Sequence, residues 1–262
     1  MHPTPPEKAP YSFRVLFMSA PEYDPHTDVD PGLEARNLDI AEHLLSTAFR
    51  LRAAGSFEEA GPLFLQALNV YERVLGPNHP DTARHFVQVA VAYRNASRYD
   101  EAAKLLDRAI EASRIAYGPR SCELAQALTL QAWVYALKGR FDEGEQLHRQ
   151  ATAMFESECE PGSHAIAESL YELAEFYEFG ERYPEALAVS ERLLPLVDHL
   201  IRETCEPLDY LAVHARVLHA LGWVTEWQAI VDRIHALEAE NGYHFSNDPE
   251  WLTVPPLKRK KK

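Results

Sequence analysis

The feature that most constrains this chain is a motif that returns every 42 residues. An aromatic residue, followed two positions later by a glutamate, occurs four times without a break in the spacing. The aromatic positions are Phe57, Tyr99, Phe141 and Tyr183, and the glutamates are Glu59, Glu101, Glu143 and Glu185. A fixed period of this length indicates stacked structural repeats, so we expect an array of similar units and not one central core.

Each unit has the pattern of two helices joined by a short turn. Apolar and small residues recur at spacings of three and four before the turn, as on one face of a helix. After the turn, a glutamate in the first turn of the second helix suits the helix dipole. The second helix then ends near Gly76-Pro77 or Gly118-Pro119, because proline cannot continue it. Alanines, which allow two helices to approach closely, align at Ala48, Ala90, Ala132 and Ala174.

These residues resemble the tetratricopeptide repeat, in which a small residue, a tyrosine and a later alanine recur, as in Ala90, Tyr93 and Ala102. The 42-residue period and the linker at 74–83 are similar to the kinesin light chain type. The resemblance covers most of the chain, at residues 37–240. It implies an all-α fold, a right-handed α-solenoid of antiparallel helix pairs with about ten helices.

Three positions depart from the family pattern. Leu51 replaces the tyrosine in the first unit, Gly144 replaces the alanine in the third, and Glu181 replaces the glycine in the fourth. Each departure affects a single aligned position of the repeat, which we call a column, so the repeat prediction is unchanged.

The repeats divide the chain into three parts. Residues 1–36 are predicted to form a proline-rich, partly disordered arm, whose strand-like stretch at 11–15 either enters the groove of the solenoid or lies elsewhere. The solenoid is predicted at 37–243, with units at 41–83, 84–125, 126–167 and 168–210. The spacing slips after the fourth unit, so 211–243 is expected to be a degenerate capping unit. Residues 244–262 form an extension that ends in the basic tail 258–262.

In the tetratricopeptide family, ligands usually lie along the concave face formed by the first helices of the units. The inward positions of the family map onto a candidate peptide-binding groove made of Phe49, Arg52, Arg84, Arg94, Asn95, Gln126, Thr129, Trp133, Glu168, Tyr171, Glu175 and Glu178. Arginines belong to the first two units and glutamates to the fourth. This predicts an extended peptide with acidic and apolar groups toward the first half and a basic group toward the second. The alternatives are that these charges pair across turns, and that Trp133 belongs to the core.

Charge limits the classes of partner. Five of the 26 basic residues form the tail 258–262, so the rest of the chain carries 21 basic against 40 acidic residues. Such an acidic body repels phosphates, so we expect no direct nucleic-acid binding by it. We also expect no membrane insertion, because no apolar run has the length of a membrane span.

The sequence carries no motif of a known catalytic site. A phosphate-binding glycine loop, a nucleophile elbow and a His-Glu-x-x-His helix are all missing from it. Cys122, Cys159 and Cys205 lack zinc spacing and indicate free thiols in a reducing compartment, which we expect to be the cytoplasm, with the nucleus as the alternative. We therefore expect a non-enzymatic scaffold or adaptor that needs no cofactor or metal and binds a protein or peptide partner. A peptide-responsive regulatory sensor or a chaperone-type protein is the alternative, and a homodimer through unit 211–243 stays open.

Overall fold

The computed structural model describes residues 31–200 and 207–241, and the regular structure in these ranges is helical throughout. Ten helices follow one another there: α1 (Pro31–Ala53), α2 (Phe57–Val74), α3 (Pro80–Asn95), α4 (Tyr99–Tyr117), α5 (Cys122–Leu137), α6 (Phe141–Glu158), α7 (His164–Phe179), α8 (Tyr183–Leu200), α9 (Pro207–Leu221) and α10 (Val224–Asn241). The predicted all-α solenoid of about ten helices is confirmed. The expectations for residues 11–15, Cys205 and the tail 258–262 lie outside the described residues.

The helices pack as consecutive pairs, from α1–α2 to α9–α10. The second, third and fourth pairs begin at Pro80, Cys122 and His164, which are 42 residues apart, each four residues before a predicted unit start (84, 126 and 168). Local capping sets where these helices begin. His79 Nδ1 accepts the Asp81 N–H at 3.1 Å, and Ser121 Oγ accepts the Leu124 N–H at 3.2 Å. The two caps are 42 residues apart, so the helix starts repeat with the same period as the rest of the unit. Helix α1 likewise begins inside the predicted arm 1–36.

The turn inside each of the first four pairs uses one residue in the left-handed backbone region. The φ angle is 83° at Gly55, 59° at Ser97, 76° at Gly139 and 56° at Glu181. The four positions follow the 42-residue period, so the turn geometry repeats even where glycine is replaced. Serine and glutamate adopt this conformation at a cost of about 1 kcal/mol relative to an ordinary backbone angle.

The arginine after this turn residue binds the two helices of its pair together. In three successive units the guanidinium lies over a tyrosine ring of the first helix, at 5.9, 4.4 and 5.3 Å from the centroid. The same arginine pairs with a glutamate three residues later, in the first turn of the second helix. The three sets are Arg98 with Tyr93 and Glu101, Arg140 with Tyr135 and Glu143, and Arg182 with Tyr177 and Glu185. The tyrosine and glutamate columns therefore share a period because one arginine contacts both.

The alanine column of the first helices lies in the interior, with Ala48, Ala90, Ala132 and Ala174 each 0% exposed. Gly144, which departs from the family pattern, lies against this column. A Cβ at Gly144 would stand 2.6 Å from the Ala132 carbonyl oxygen and 3.0 Å from the ring of Phe176. Glycine is thus required by the close approach of α6 to α5 and by the fully buried phenylalanine.

The fifth pair continues the stack. Trp227, Val231 and Ile234 of α10 are buried, and all three belong to the apolar cluster that α7, α8 and α9 form. Ser190 Oγ of α8 and His214 Nδ1 of α9 lie 2.8 Å apart and link the fourth pair to the fifth. That 211–243 caps the array stays a prediction.

Candidate functional site

The first helices of the pairs form one row, which we call the inner row (α1, α3, α5, α7 and α9). Within it, α3 packs on α5 and α7 packs on α9. The second helices of neighbouring pairs are bridged by long charged side chains, Arg108 with Glu72 and Arg192 with Glu156. Helices that stand closer together lie on the inside of a curved stack, so the inner row forms the concave face.

The first part of the inner row carries the predicted aromatic and arginine side chains. Phe49 packs edge-on against Phe64 with ring centroids 4.9 Å apart, and the Arg52 guanidinium lies 5.6 Å from the Phe49 ring. These contacts hold both side chains of α1 in place before any ligand arrives.

The predicted arginines of α3 are held by neighbours on their own helix. Arg84 donates to Asp81 at 2.6 Å, and Arg94 donates twice to the side-chain oxygen of Asn95, at 3.1 and 3.2 Å. Arg94 is only 8% exposed, so its charge is largely withdrawn from solvent. Arg84 thus pairs with Asp81, one helical turn earlier, and that the predicted arginines and glutamates pair with each other stays a prediction.

The middle of the row, α5, is mostly packed interior. Gln126 is half-buried, whereas Thr129 is 1% and Trp133 is 4% exposed. The Trp133 ring lies 5.3 Å from Phe176 and 5.8 Å from Phe179, an exposed residue at the end of α7. Trp133 thus contributes to packing between the third and fourth pairs, and Thr129 is buried within the stack. Direct contact with a ligand stays a prediction for both.

Helix α7 carries the densest group of polar side chains, and α9 orders them. The Tyr210 hydroxyl donates to Glu168 at 3.0 Å, and its ring centroid lies 5.4 Å from that of Tyr171. Arg216 donates to both carboxylate oxygens of Glu178, at 2.9 and 3.0 Å, and to Glu175 at 3.0 Å. We call this group, with Glu172, the α7–α9 cluster. The predicted glutamates are thus brought together, but by partners of the fifth pair and not by the predicted arginines.

Burial changes the ionisation of the α7–α9 cluster. It raises the pKa of Glu175 to about 7, although Arg216 is adjacent. The pKa of Glu172 is raised as well, first by burial and then by the carboxylates of Glu168 and Glu175, while Arg94 opposes the shift. Crowded, partly desolvated carboxyls favour a further positive charge beside them, because a cation stabilises their ionised form.

Sequence reasoning missed three members of the cluster: Tyr210, Arg216 and Glu172. Tyr210 lies 42 residues after Glu168, but the spacing slips after the fourth unit, so the repeat does not pair these two residues. Arg216 contacts residues 38 and 41 positions away, so the repeat does not reveal it. Glu172 lies one helical turn after Glu168 and shares its face of α7.

Comparison with known proteins identifies the family. The tetratricopeptide repeat matches residues 39–115, 85–157 and 123–199. These overlapping stretches cover more than half of the chain, so the chain belongs to the tetratricopeptide repeat family. Tetratricopeptide repeats are typical of protein–protein interaction, which makes proteins the expected class of partner. No curated protein matches the chain.

Solved structures share the fold at low sequence identity. A kinesin light chain-like protein of Podosopora anserina with nearly identical TPR-like repeats is 20% identical, with a TM-score of 0.65 over 79% of this chain and 98% of its own. BtubC (BKLC) from P. vanneervenii is 21% identical, with a TM-score of 0.65 over 88% and 97%. Aspartyl phosphate phosphatase F from Bacillus subtilis is 13% identical, with a TM-score of 0.66 over 80% of this chain and 53% of its own. At these identities the likeness concerns the fold alone.

Membrane-spanning helices and metal sites can be assessed for the described residues, 31–200 and 207–241. None of the helices there combines the length and the apolar character needed to cross a membrane. In the same ranges, no three histidine, cysteine, aspartate or glutamate side chains are grouped as a metal site would need.

Proposed function

We propose that this protein is a non-enzymatic scaffold or adaptor that holds an extended peptide segment of a protein partner along the inner row. Membership of the tetratricopeptide repeat family supports a protein partner. The observation that carries the finer proposal is the α7–α9 cluster, in which Glu172 and Glu175 are withdrawn from water and have raised pKa values. Such carboxyls are suited to a basic side chain of a ligand.

The two ends of the inner row differ in charge, which gives the proposed ligand a direction. Arg84 and Arg94 lie on α3, and the carboxyls of the cluster lie on α7. A peptide with an acidic group facing α3 and a basic group facing α7 matches this order. The reversed peptide would place like charges together, so charge favours one orientation.

The test begins with the purified full-length protein and a random peptide library, from which binders are selected and measured by fluorescence anisotropy. Glu172→Gln and Glu175→Gln are the inner-row variants. Glu111→Gln is the matched control, because Glu111 is an exposed carboxylate of the second helix α4. We expect selected peptides to contain a basic residue and to bind each inner-row variant about tenfold more weakly. The control is expected to bind as the wild type does.

The pKa of Glu175 adds a second readout. Ionisation of a carboxyl with a pKa of about 7 increases between pH 6 and pH 8. A basic peptide is therefore expected to bind more tightly at pH 8 than at pH 6, and the Glu175→Gln variant should lose this dependence. If the selected peptides still bind both inner-row variants but no longer bind Glu111→Gln, binding belongs to the outer face and the proposal is overturned.

A further inference from the structure

Two thiols meet at one end of the third helix pair. Cys122 is the first residue of α5, and Cys159 directly follows the last residue of α6. Their Sγ atoms lie 3.1 Å apart, and both thiols are free. The two residues are 37 positions apart, so the contact joins the beginning of the third pair to its end.

Packing holds the two sulfurs in position. Both side chains are half-buried and lie against an apolar cluster that includes Leu124, Leu128 and Phe155. Cys122 is fixed by the cap of α5, where Ser121 accepts the Leu124 N–H. The Cys159 N–H donates to the Phe155 carbonyl at 3.0 Å, which ties it to the last turn of α6. The sulfurs are therefore held together by the fold and not by chance encounters of flexible ends.

The surroundings of the pair oppose ionisation of a thiol. Burial and the neighbouring Cys159 sulfur raise the pKa of Cys122 to about 12, with smaller contributions from Glu123 and Glu158. The thiolate is the reactive form of cysteine, so the pair reacts with an oxidant only after one of the two thiols has lost its proton. The other thiol then lies in place to complete the bond.

We propose that Cys122 and Cys159 form a reversible, redox-sensitive disulfide that ties the start of α5 to the end of α6. The oxidant is a low-molecular-weight disulfide. The thiolate of one of the two cysteines attacks one of its sulfurs, which forms a mixed disulfide and releases the first small thiolate. The other cysteine then loses its proton and attacks Sγ of the first, which releases the second small thiolate. The protein loses two electrons and two protons, and the small disulfide is reduced to two thiols.

The bond would restrain the third pair as a whole. It closes a loop that contains both α5 and α6, and closure of a loop of this length restricts the unfolded chain far more than the folded one. Since α5 is the middle helix of the inner row, the oxidised protein is expected to keep the third pair folded under conditions that unfold it in the reduced protein.

The test uses the full-length protein, incubated with excess oxidised glutathione and then with dithiothreitol. Intact mass and a non-reducing peptide map are measured for the wild type, Cys205→Ser and Cys159→Ser. We expect the wild type and Cys205→Ser to lose two hydrogens and to show one intramolecular link between the peptides that contain residues 122 and 159. We also expect a Tm about 5–10 °C higher for the oxidised protein, and full reversal by dithiothreitol.

Several outcomes would overturn the proposal. One is persistence of both thiols in the wild type after incubation with the oxidant. Another is a bond to Cys205 or between two chains in place of the 122–159 link. A third is a 122–159 link that leaves the Tm unchanged, which would show that the bond does not restrain the third pair. The wild-type peptide map decides the first two, so the proposal does not depend on whether Cys159→Ser folds.

Discussion

The Tyr210 hydroxyl donates a hydrogen bond to the Glu168 carboxylate at 3.0 Å, across two helices of the inner row. The two residues are 42 positions apart, and the bond joins the fourth pair to the fifth. Arg216, further along the same helix, pairs with Glu175 and Glu178. The fifth pair thus sets the arrangement of the carboxyls on α7.

Removal of Arg216 is expected to destabilise the fold. In Arg216→Met, Glu175 and Glu178 lose their cation while staying largely desolvated, and we expect a loss of about 2 kcal/mol in the free energy of unfolding. Chemical denaturation followed by circular dichroism measures this loss. Arg149→Met is the matched control, since the Arg149 side chain is 68% exposed and lies 3.7 Å from Glu145. It should cost less than about 0.5 kcal/mol. Equal losses in the two variants would contradict the structural role of Arg216.

The buried His148 is expected to make the fold sensitive to acid. Burial lowers its pKa from 6.5 to about 4, so between these values the unfolded state binds more protons and stability falls as the pH falls. Acidification from pH 6.5 to pH 5 should cost the wild type about 1.5 kcal/mol more than His148→Leu. Denaturation curves of both proteins at the two pH values give this difference directly. Since both proteins retain the carboxyls of α7, an identical pH dependence would exclude His148 as its source.

Glycine is expected to stabilise the fold at the two turns that carry another residue in the left-handed region. Ser97→Gly and Glu181→Gly should each raise the free energy of unfolding by about 1 kcal/mol, because glycine adopts a φ near 60° without the clash of a Cβ. Ser97→Ala and Glu181→Ala are the controls. They keep the Cβ, so we expect no increase in their free energy of unfolding. Thermal unfolding of the four variants tests this. A gain from alanine equal to that from glycine would assign the effect to the lost side chain instead of the backbone angle.

Gly144 is expected to tolerate no side chain. In Gly144→Ala the new Cβ meets the Ala132 carbonyl oxygen at 2.6 Å, so α6 must shift, and we expect a loss of about 1–3 kcal/mol. Gly61→Ala provides the comparison, because Gly61 is also buried in a second helix but its new Cβ would lie 3.5 Å from the nearest atom, Tyr93 Oη. That variant should be neutral or gain up to about 1 kcal/mol from helix propensity. The unfolding midpoints of Gly144→Ala and Gly61→Ala test this prediction. Equal losses of stability in the two variants would disprove the close approach at Gly144.

The periodic part of this structure could be predicted from the sequence, and the rest depends on side-chain contacts between units. The 42-residue columns were enough to predict the helix pairs, because Tyr93, Arg98 and Glu101 recur as a contacting set. The N-caps His79 and Ser121 are also 42 residues apart, so the starts of these helices follow the same period as the alanines. The order of charge along the inner row was visible, but the pairing of Glu175 was not, because Arg216 lies off the period.

The fit of Phe176 over Gly144 has a consequence for how such an array changes through evolution. One period earlier the same two places hold Val134 and Ala102. A copy of α5 in place of α7 would leave a void above Gly144, and a copy of α4 in place of α6 would drive a methyl group into the phenylalanine ring. The segment that must be inherited intact therefore runs from α6 into α7 and straddles the border between two repeats. Duplication or shuffling of whole repeats would break this segment, so the third and fourth units are expected to diverge together and not as separate modules.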